Sequence, residues 1–145
     1  MTTRVLLVED NGADVELVRE ALLDLEGGCE LHDVENGVEA LRFLRGEGPF
    51  AGRPGVDLVL LDLNTPLLGG LDLLSAVRAE PRWAGVRLVV FSASPHPGDE
   101  RRALELGAEA FLLKPTGWDD FSRAVRSVLG GRAGPSPTPP AGERA

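Results

Sequence analysis

Two short, strongly apolar runs limit what this chain can fold into more than any other feature. Residues 4–8 read Arg4-Val5-Leu6-Leu7-Val8 and residues 56–61 read Val56-Asp57-Leu58-Val59-Leu60-Leu61, both of buried-strand length. Successive strand side chains point to opposite faces, so strands of this composition need cover on both sides. Helical patterns between the runs supply it. Residues 13–25 place Val15, Val18, Leu22 and Leu25 on one helical face. A weaker strand at residues 31–34 precedes a helix carrying Val38, Leu41 and Leu44, and a Gly/Pro-rich loop fills residues 46–55. A helix from about Gly70 carries Leu71, Leu74 and Val77, with Pro81 where it should stop. Residues 86–91 and 110–113 read as the fourth and fifth strands, with a short helix of thin apolar face at residues 98–106 between them. Residues 118–129 close the pattern with Phe121, Val125 and Val128. Five strands alternating with five helices predict an α/β fold, a doubly wound parallel sheet with right-handed crossovers.

Composition sets the outer limits. The chain has 145 residues, of which residues 1–129 form one expected domain. Residues 130–145 hold four prolines and four glycines and no aliphatic side chain larger than alanine, the composition of a disordered tail. Only that tail follows the last helical pattern, so a stand-alone domain without an attached DNA-binding module is expected. The single cysteine, Cys29, rules out an internal disulfide and fits a reducing cytoplasm. No apolar run approaches the ~18 residues needed to span a bilayer, and no signal peptide opens the chain, so neither a membrane nor secretion is expected. A formal charge of −8 repels nucleic acid and anionic lipid. Of the 15 basic residues, Lys114 is the only lysine. Lysine and arginine are not equivalent where a compact point charge must fit.

In open parallel sheets the chemistry gathers outside the carboxyl ends of the strands. Glu9 and Asp10 follow strand one, Asp62 ends strand three, Ser92 follows strand four, and Lys114 follows strand five. If strands one and three are neighbours, the three carboxylates crowd together and call for a cation. Magnesium fits best: the carboxylates of Glu9, Asp10 and Asp62 and the backbone carbonyl of Asn64 leave room for its waters and a phosphate oxygen. A carboxylate can act as nucleophile toward phosphorus when a metal and a cation absorb the phosphoryl charge, which makes Asp62 the candidate acceptor. Ser92 would donate one hydrogen bond to a phosphoryl oxygen and Lys114 would supply positive charge opposite the metal. Pro115 would fix the backbone after it, through a cis bond or otherwise.

These residues, in VLLVED with Asp10, DLNTPLLGG with Asp62, Pro66 and Gly70, VVFSA with Ser92, and FLLKP with Lys114, resemble a response-regulator receiver domain of two-component signalling. The resemblance implies a flavodoxin-like sheet of order 2-1-3-4-5, magnesium binding, and phosphoryl transfer to Asp62 from a partner histidine kinase. The chain would be a phosphoacceptor and not an enzyme acting on other molecules. The Gly/Pro loop and the short C-terminus look like the small receivers that partner bacterial phytochromes. Output would pass through protein contacts; a phosphate sink and an unphosphorylated scaffold are the alternatives. Glu9 stands where a second aspartate is frequent, Thr65 where methionine is usual, Gly69 where aspartate or asparagine is common, and Ser92 where threonine often sits. Phe111 holds the switch-aromatic position without a hydroxyl, so a switch shared with Ser92 would work by ring packing. His32 and His96 lack the helical context of a phosphodonor and read as surface residues.

Rival readings each miss a residue. A flavodoxin needs a phosphate-cradling loop after strand one, where Glu9 and Asp10 would repel a phosphate. A haloacid-dehalogenase-type phosphatase needs a second aspartate two positions beyond its nucleophile, and Asn64 stands there. A pseudo-receiver scaffold normally lacks an acidic or lysine position that this chain has. In the implied order strand five is an apolar sheet edge, and charges of both signs lie on helices four and five. A homodimer through helix four, strand five and helix five is therefore expected, with Phe111, Trp118 and Arg123 in its face.

Overall fold

The computed structural model describes residues 3–23, 28–52, 55–93, 96–114 and 117–130. Five strands, β1 (Thr3–Val8), β2 (Cys29–Val34), β3 (Leu58–Leu61), β4 (Arg87–Ser92) and β5 (Ala110–Leu113), form one parallel sheet of order β2-β1-β3-β4-β5. The helices α1 (Gly12–Leu23), α2 (Gly37–Arg45), α3 (Gly70–Arg78), α4 (Asp99–Glu105) and α5 (Trp118–Gly130) connect and cover it. The flavodoxin-like arrangement implied by the sequence is thus the one observed.

The apolar runs behave as their period dictates. Leu6, Val8, Val59 and Leu61 face the side covered by α2 and α3, while Val5, Leu7, Leu58 and Leu60 face the side covered by α1 and α5. All eight are 2% exposed or less, so β1 and β3 are dry on both faces over these residues. Side-chain caps set the starts of α1 and α2: Asn11 Oδ1 accepts from the amides of Ala13 and Asp14, and Asn36 Oδ1 from that of Glu39.

Two glycines let the connections come close to the sheet end. A Cβ on Gly70 would lie 2.6 Å from Leu63 Cα, so only glycine lets α3 begin directly against the segment that follows β3. A Cβ on Gly37 would overlap the carbonyl and Cβ of Leu68. That second approach shifts the expected face of α2 without reversing it: Leu41 and Leu44 pack against the core as expected, and only Val38 turns outward. Gly37, Ala40 and Phe43 are buried, whereas Val38 is 44% exposed and Leu41 and Leu44 are half-buried. The small side chains turn inward because the backbone is pressed on Leu68, and the Phe43 ring fills the remaining depth, 5.1 Å from Phe50. His32 packs there too, 5.2 Å from Phe43, and is half-buried where a surface position was expected. His96 is exposed as expected.

Other boundaries move slightly. Val56 and Asp57 precede β3, β4 runs one residue later than expected, and β2 begins at Cys29, which is half-buried. Leu25, Pro115 and residues 131–145 lie outside the described residues, as does the side chain of Trp118. Among the described residues no helix is long and apolar enough to cross a membrane.

Candidate functional site

Strand register assembles the site. Val8 pairs with Leu61, and the Asp62 amide continues the ladder by donating to the Val8 carbonyl at 3.1 Å, so Glu9 and Asp62 leave neighbouring strands side by side. Ser92 pairs with Leu113, and the Lys114 amide donates to the Ser92 carbonyl at 2.9 Å. The residues expected at the strand ends therefore arrive at one edge because parallel strands of matched register end together.

Lys114 organises what they do. Its Nζ donates to Glu9 Oε1 at 2.6 Å, Asp14 Oδ2 at 2.8 Å and Asp62 Oδ2 at 2.9 Å, which uses all three of its N–H groups. The side chains of Lys114, Glu9 and Asp62 are only 8%, 4% and 12% exposed. Burial pulls the Lys114 ammonium down, but its hydrogen bonds to Asp14, Glu9 and Asp62 outweigh that and hold it above the ordinary lysine value. Burial likewise pushes the Glu9 carboxyl up, and the Lys114 hydrogen bond and charge oppose it without cancelling it. The second oxygen of each acid meets a backbone amide: Glu9 Oε2 accepts from Asn11 at 3.2 Å and Asp62 Oδ1 from Asn64 at 2.9 Å.

The remaining expected residues surround this cluster less tightly. Ser92 is fully buried, and its Oγ has no hydrogen-bond partner among the described residues. An unsatisfied buried hydroxyl costs about 1–3 kcal/mol, so this donor stands ready for an acceptor. Asp10 and Asn64 are exposed. Thr65 is buried, with its hydroxyl donating to the Leu68 carbonyl at 3.2 Å, which holds the turn after Asp62. Phe111 is half-buried and borders an open hollow with His96, Pro97, Gly98, Glu100 and Leu113.

Asp14 is the participant that strand-end reasoning missed. It sits in the first turn of α1, and its signal was an acid one helical turn beyond the strand-end pair Glu9-Asp10. Among the described residues no three acidic, His or Cys side chains are gathered as a metal cage. The Lys114 ammonium bridges Glu9 and Asp62. Their oxygens, with those of Asp10 and the Asn64 carbonyl, are nevertheless the donor set a hard divalent cation takes.

Comparison with known proteins adds a consistent picture. The family model for the response regulator receiver domain matches residues 5–126. Response regulator Rcp1 of Synechocystis is 32% identical over 124 residues, covering 86% of this chain and 84% of Rcp1. The crystal structure of the Mn(2+)-bound form of Rcp1 superposes with a TM-score of 0.84 at 29% identity, covering 95% of this chain and 99% of that one. The phosphorylated cyanobacterial phytochrome response regulator RcpA gives a TM-score of 0.83 at 31% identity, covering 88% and 91%.

Proposed function

This chain belongs to the response-regulator receiver domain family, and we propose that it accepts a phosphoryl group on Asp62 from a partner histidine kinase. In the reaction an Asp62 carboxylate oxygen forms a bond to phosphorus while the bond from phosphorus to the histidine nitrogen breaks, and the imidazole leaves with that electron pair. The observation that carries this reading is the Lys114 ammonium 2.9 Å from Asp62 Oδ2 at the end of a dry strand. It lies beside the charge that develops on the phosphoryl oxygens and stabilises it. Ser92 Oγ, buried and unpartnered among the described residues, donates to another phosphoryl oxygen.

Glu9, Asp10, Asp62 and the Asn64 carbonyl would hold a magnesium ion. When bound, it neutralises carboxylate and phosphoryl charge that Lys114 alone does not balance. The Mn(2+)-bound form of Rcp1 supports a divalent ion in this family, and the phytochrome response regulator RcpA supports a phytochrome kinase as the partner.

Output passes through protein contacts at α4, β5 and α5, where Leu104 is 44% and Leu113 61% exposed. Phe121 lies outside this face: it is core, with its ring 5.3 Å from that of Phe91. Arg123 is exposed and pairs with Asp120 at 3.0 Å, which suits a polar rim of a homodimer. Repacking of Ser92 and Phe111 on phosphorylation would bias that face.

Intact-mass spectrometry with acetyl phosphate tests the chemistry. One phosphoryl group is expected on the wild type in magnesium and none without it, and Asp62→Asn should stay unlabelled. Wild-type labelling of Asp62→Asn overturns the assignment. A transfer profile across purified histidine kinases, beginning with a phytochrome kinase, tests the partner.

A further inference from the structure

Three carboxylates hold the Lys114 ammonium, but two of them have other work in the reaction proposed above, on which this inference rests. Asp62 forms the new bond to phosphorus, and its carboxylate charge is lost in the acyl phosphate. Glu9 follows β1 directly, binds the Asn11 amide through Oε2, and belongs to the oxygen set suited to a divalent cation. Asp14 has neither duty. It comes from a helix and not from a strand end, and its Oδ2 lies 2.8 Å from Lys114 Nζ.

The helix start fixes that carboxylate relative to the sheet. Asn11 Oδ1 accepts from the Asp14 amide itself at 3.1 Å and from that of Ala13 at 2.9 Å. The next residue, Val15, is 7% exposed and Val18 is 2% exposed, both packed in the core shared with β1 and β3. Lys114, in contrast, is carried by a flexible four-carbon stem that follows an edge strand whose last residue, Leu113, is 61% exposed. An ammonium with all three N–H groups engaged must release one to bind a phosphoryl oxygen. The partner that drops out is Asp62, because its charge has gone into the new bond.

We propose that Asp14 is a positioning residue that anchors the Lys114 ammonium at the site while the ammonium exchanges Asp62 for a phosphoryl oxygen. Its carboxylate is the one partner of Lys114 that neither bonds to phosphorus nor belongs to the oxygen set suited to a divalent cation. An acid in the first turn also favours the helix dipole, so a purely helical role has to be separated from this one.

The chain's only lysine makes the separation direct. Lysine labelled with nitrogen-15 gives a single side-chain ammonium resonance, which needs no assignment and is read in metal-free protein. In the wild type this signal should be protected from solvent exchange, and in Asp14→Ala its exchange should quicken by about tenfold, the loss of one charge-assisted hydrogen bond. Labelling of Asp62 by acetyl phosphate, which releases acetate, should slow by a similar factor. Asp14→Asn, which keeps an acceptor oxygen without the charge, should fall between, and it serves alone if Asp14→Ala does not fold. An unchanged ammonium signal and unchanged labelling in a folded variant, whatever its melting temperature, would assign Asp14 to the helix only and overturn the proposal. Faster labelling would also overturn it, by making Asp14 a competitor for Lys114. If acetyl phosphate fails to label the wild type, the acceptor reading fails, while the ammonium signal still decides whether Asp14 anchors Lys114.

Discussion

Strands β4 and β5 carry a charged network at each end, and the two networks are built on opposite plans. At the amino end, Arg87 meets Glu109 through two parallel bonds, Nε to Oε1 at 2.8 Å and Nη2 to Oε2 at 2.6 Å, and Nη2 also donates to the Val128 carbonyl at 2.8 Å. One cation faces one anion, and the bonds tie β4, the approach to β5, and α5 together. At the carboxyl end one ammonium faces three carboxylates, and the buried hydroxyl of Ser92, the last residue of β4, has no partner among the described residues. A balanced fork closes on itself and stabilises the fold. The acidic surplus instead leaves the other end receptive to more positive charge, and the idle hydroxyl to an acceptor.

The largest effect should come from removing the one cation that restrains that surplus. Lys114→Met leaves Glu9, 4% exposed, beside Asp62 with no countercharge between them. Urea unfolding at neutral pH should show a loss of about 3 kcal/mol, the scale for breaking a buried ion pair from one side. Added magnesium should recover part of it. A Lys114→Met variant as stable as the wild type would show that the two ends are not different in kind. Lys114→Arg sharpens the point. It keeps the charge and should keep most of the stability, but a planar guanidinium does not direct three N–H groups as an ammonium does. Labelling of Asp62 by acetyl phosphate should drop in this variant while its far-UV spectrum stays that of the wild type.

The contrast also explains what could be read from the chain alone. The fold was legible because the runs at β1 and β3 are apolar at consecutive positions, and that pattern has few uses outside a doubly covered parallel sheet. Glu9, Asp10, Asp62, Ser92 and Lys114 were legible because parallel strands end together. Asp14 was not, because its role depends on how far the Lys114 side chain reaches back across the sheet end. The α2 face was legible only in part for a similar reason, since Leu41 and Leu44 pack against the core as their spacing predicts while Val38 is exposed. Spacing favoured Val38, Leu41 and Leu44, but Gly37 lies against Leu68, some 30 residues away in the chain, and that contact sets which side turns inward. The Arg87–Glu109 fork was also invisible, since nothing local announces a pair across a β-ladder.

A middle-sized effect is expected at that fork. Glu109→Gln removes one charge from a pair whose side chains are 26% and 43% exposed, so solvent screening reduces its worth to about 1 kcal/mol. The variant should unfold at a slightly lower urea concentration and be phosphorylated at the wild-type rate. Slower labelling would mean that the two ends of β4 and β5 communicate, and the comparison would have to be redrawn.

The smallest effect is the pH response of the same pair, and its sign is fixed. Hydrogen bonds from Arg87 hold the Glu109 carboxyl below its ordinary range, with partial burial opposing them less strongly and the Arg87 charge assisting. The unfolded chain therefore takes up this proton at a higher pH than the folded one. The stabilisation is fully present above the ordinary glutamate value and is lost as pH falls through the lower, folded value. Arg87 stays charged throughout, because the same bonds hold its guanidinium above an already high value. The difference in melting temperature between the wild type and Glu109→Gln should thus be largest near pH 7 and should shrink steadily in acid. Taking the difference cancels whatever the carboxylates at the other end contribute, since both proteins share them. High salt should narrow the gap at pH 7 as well, because both side chains are partly solvated. A gap that widened in acid would mean that the Glu109 carboxyl is held above its ordinary range, and the amino-end pair would no longer be a self-contained staple.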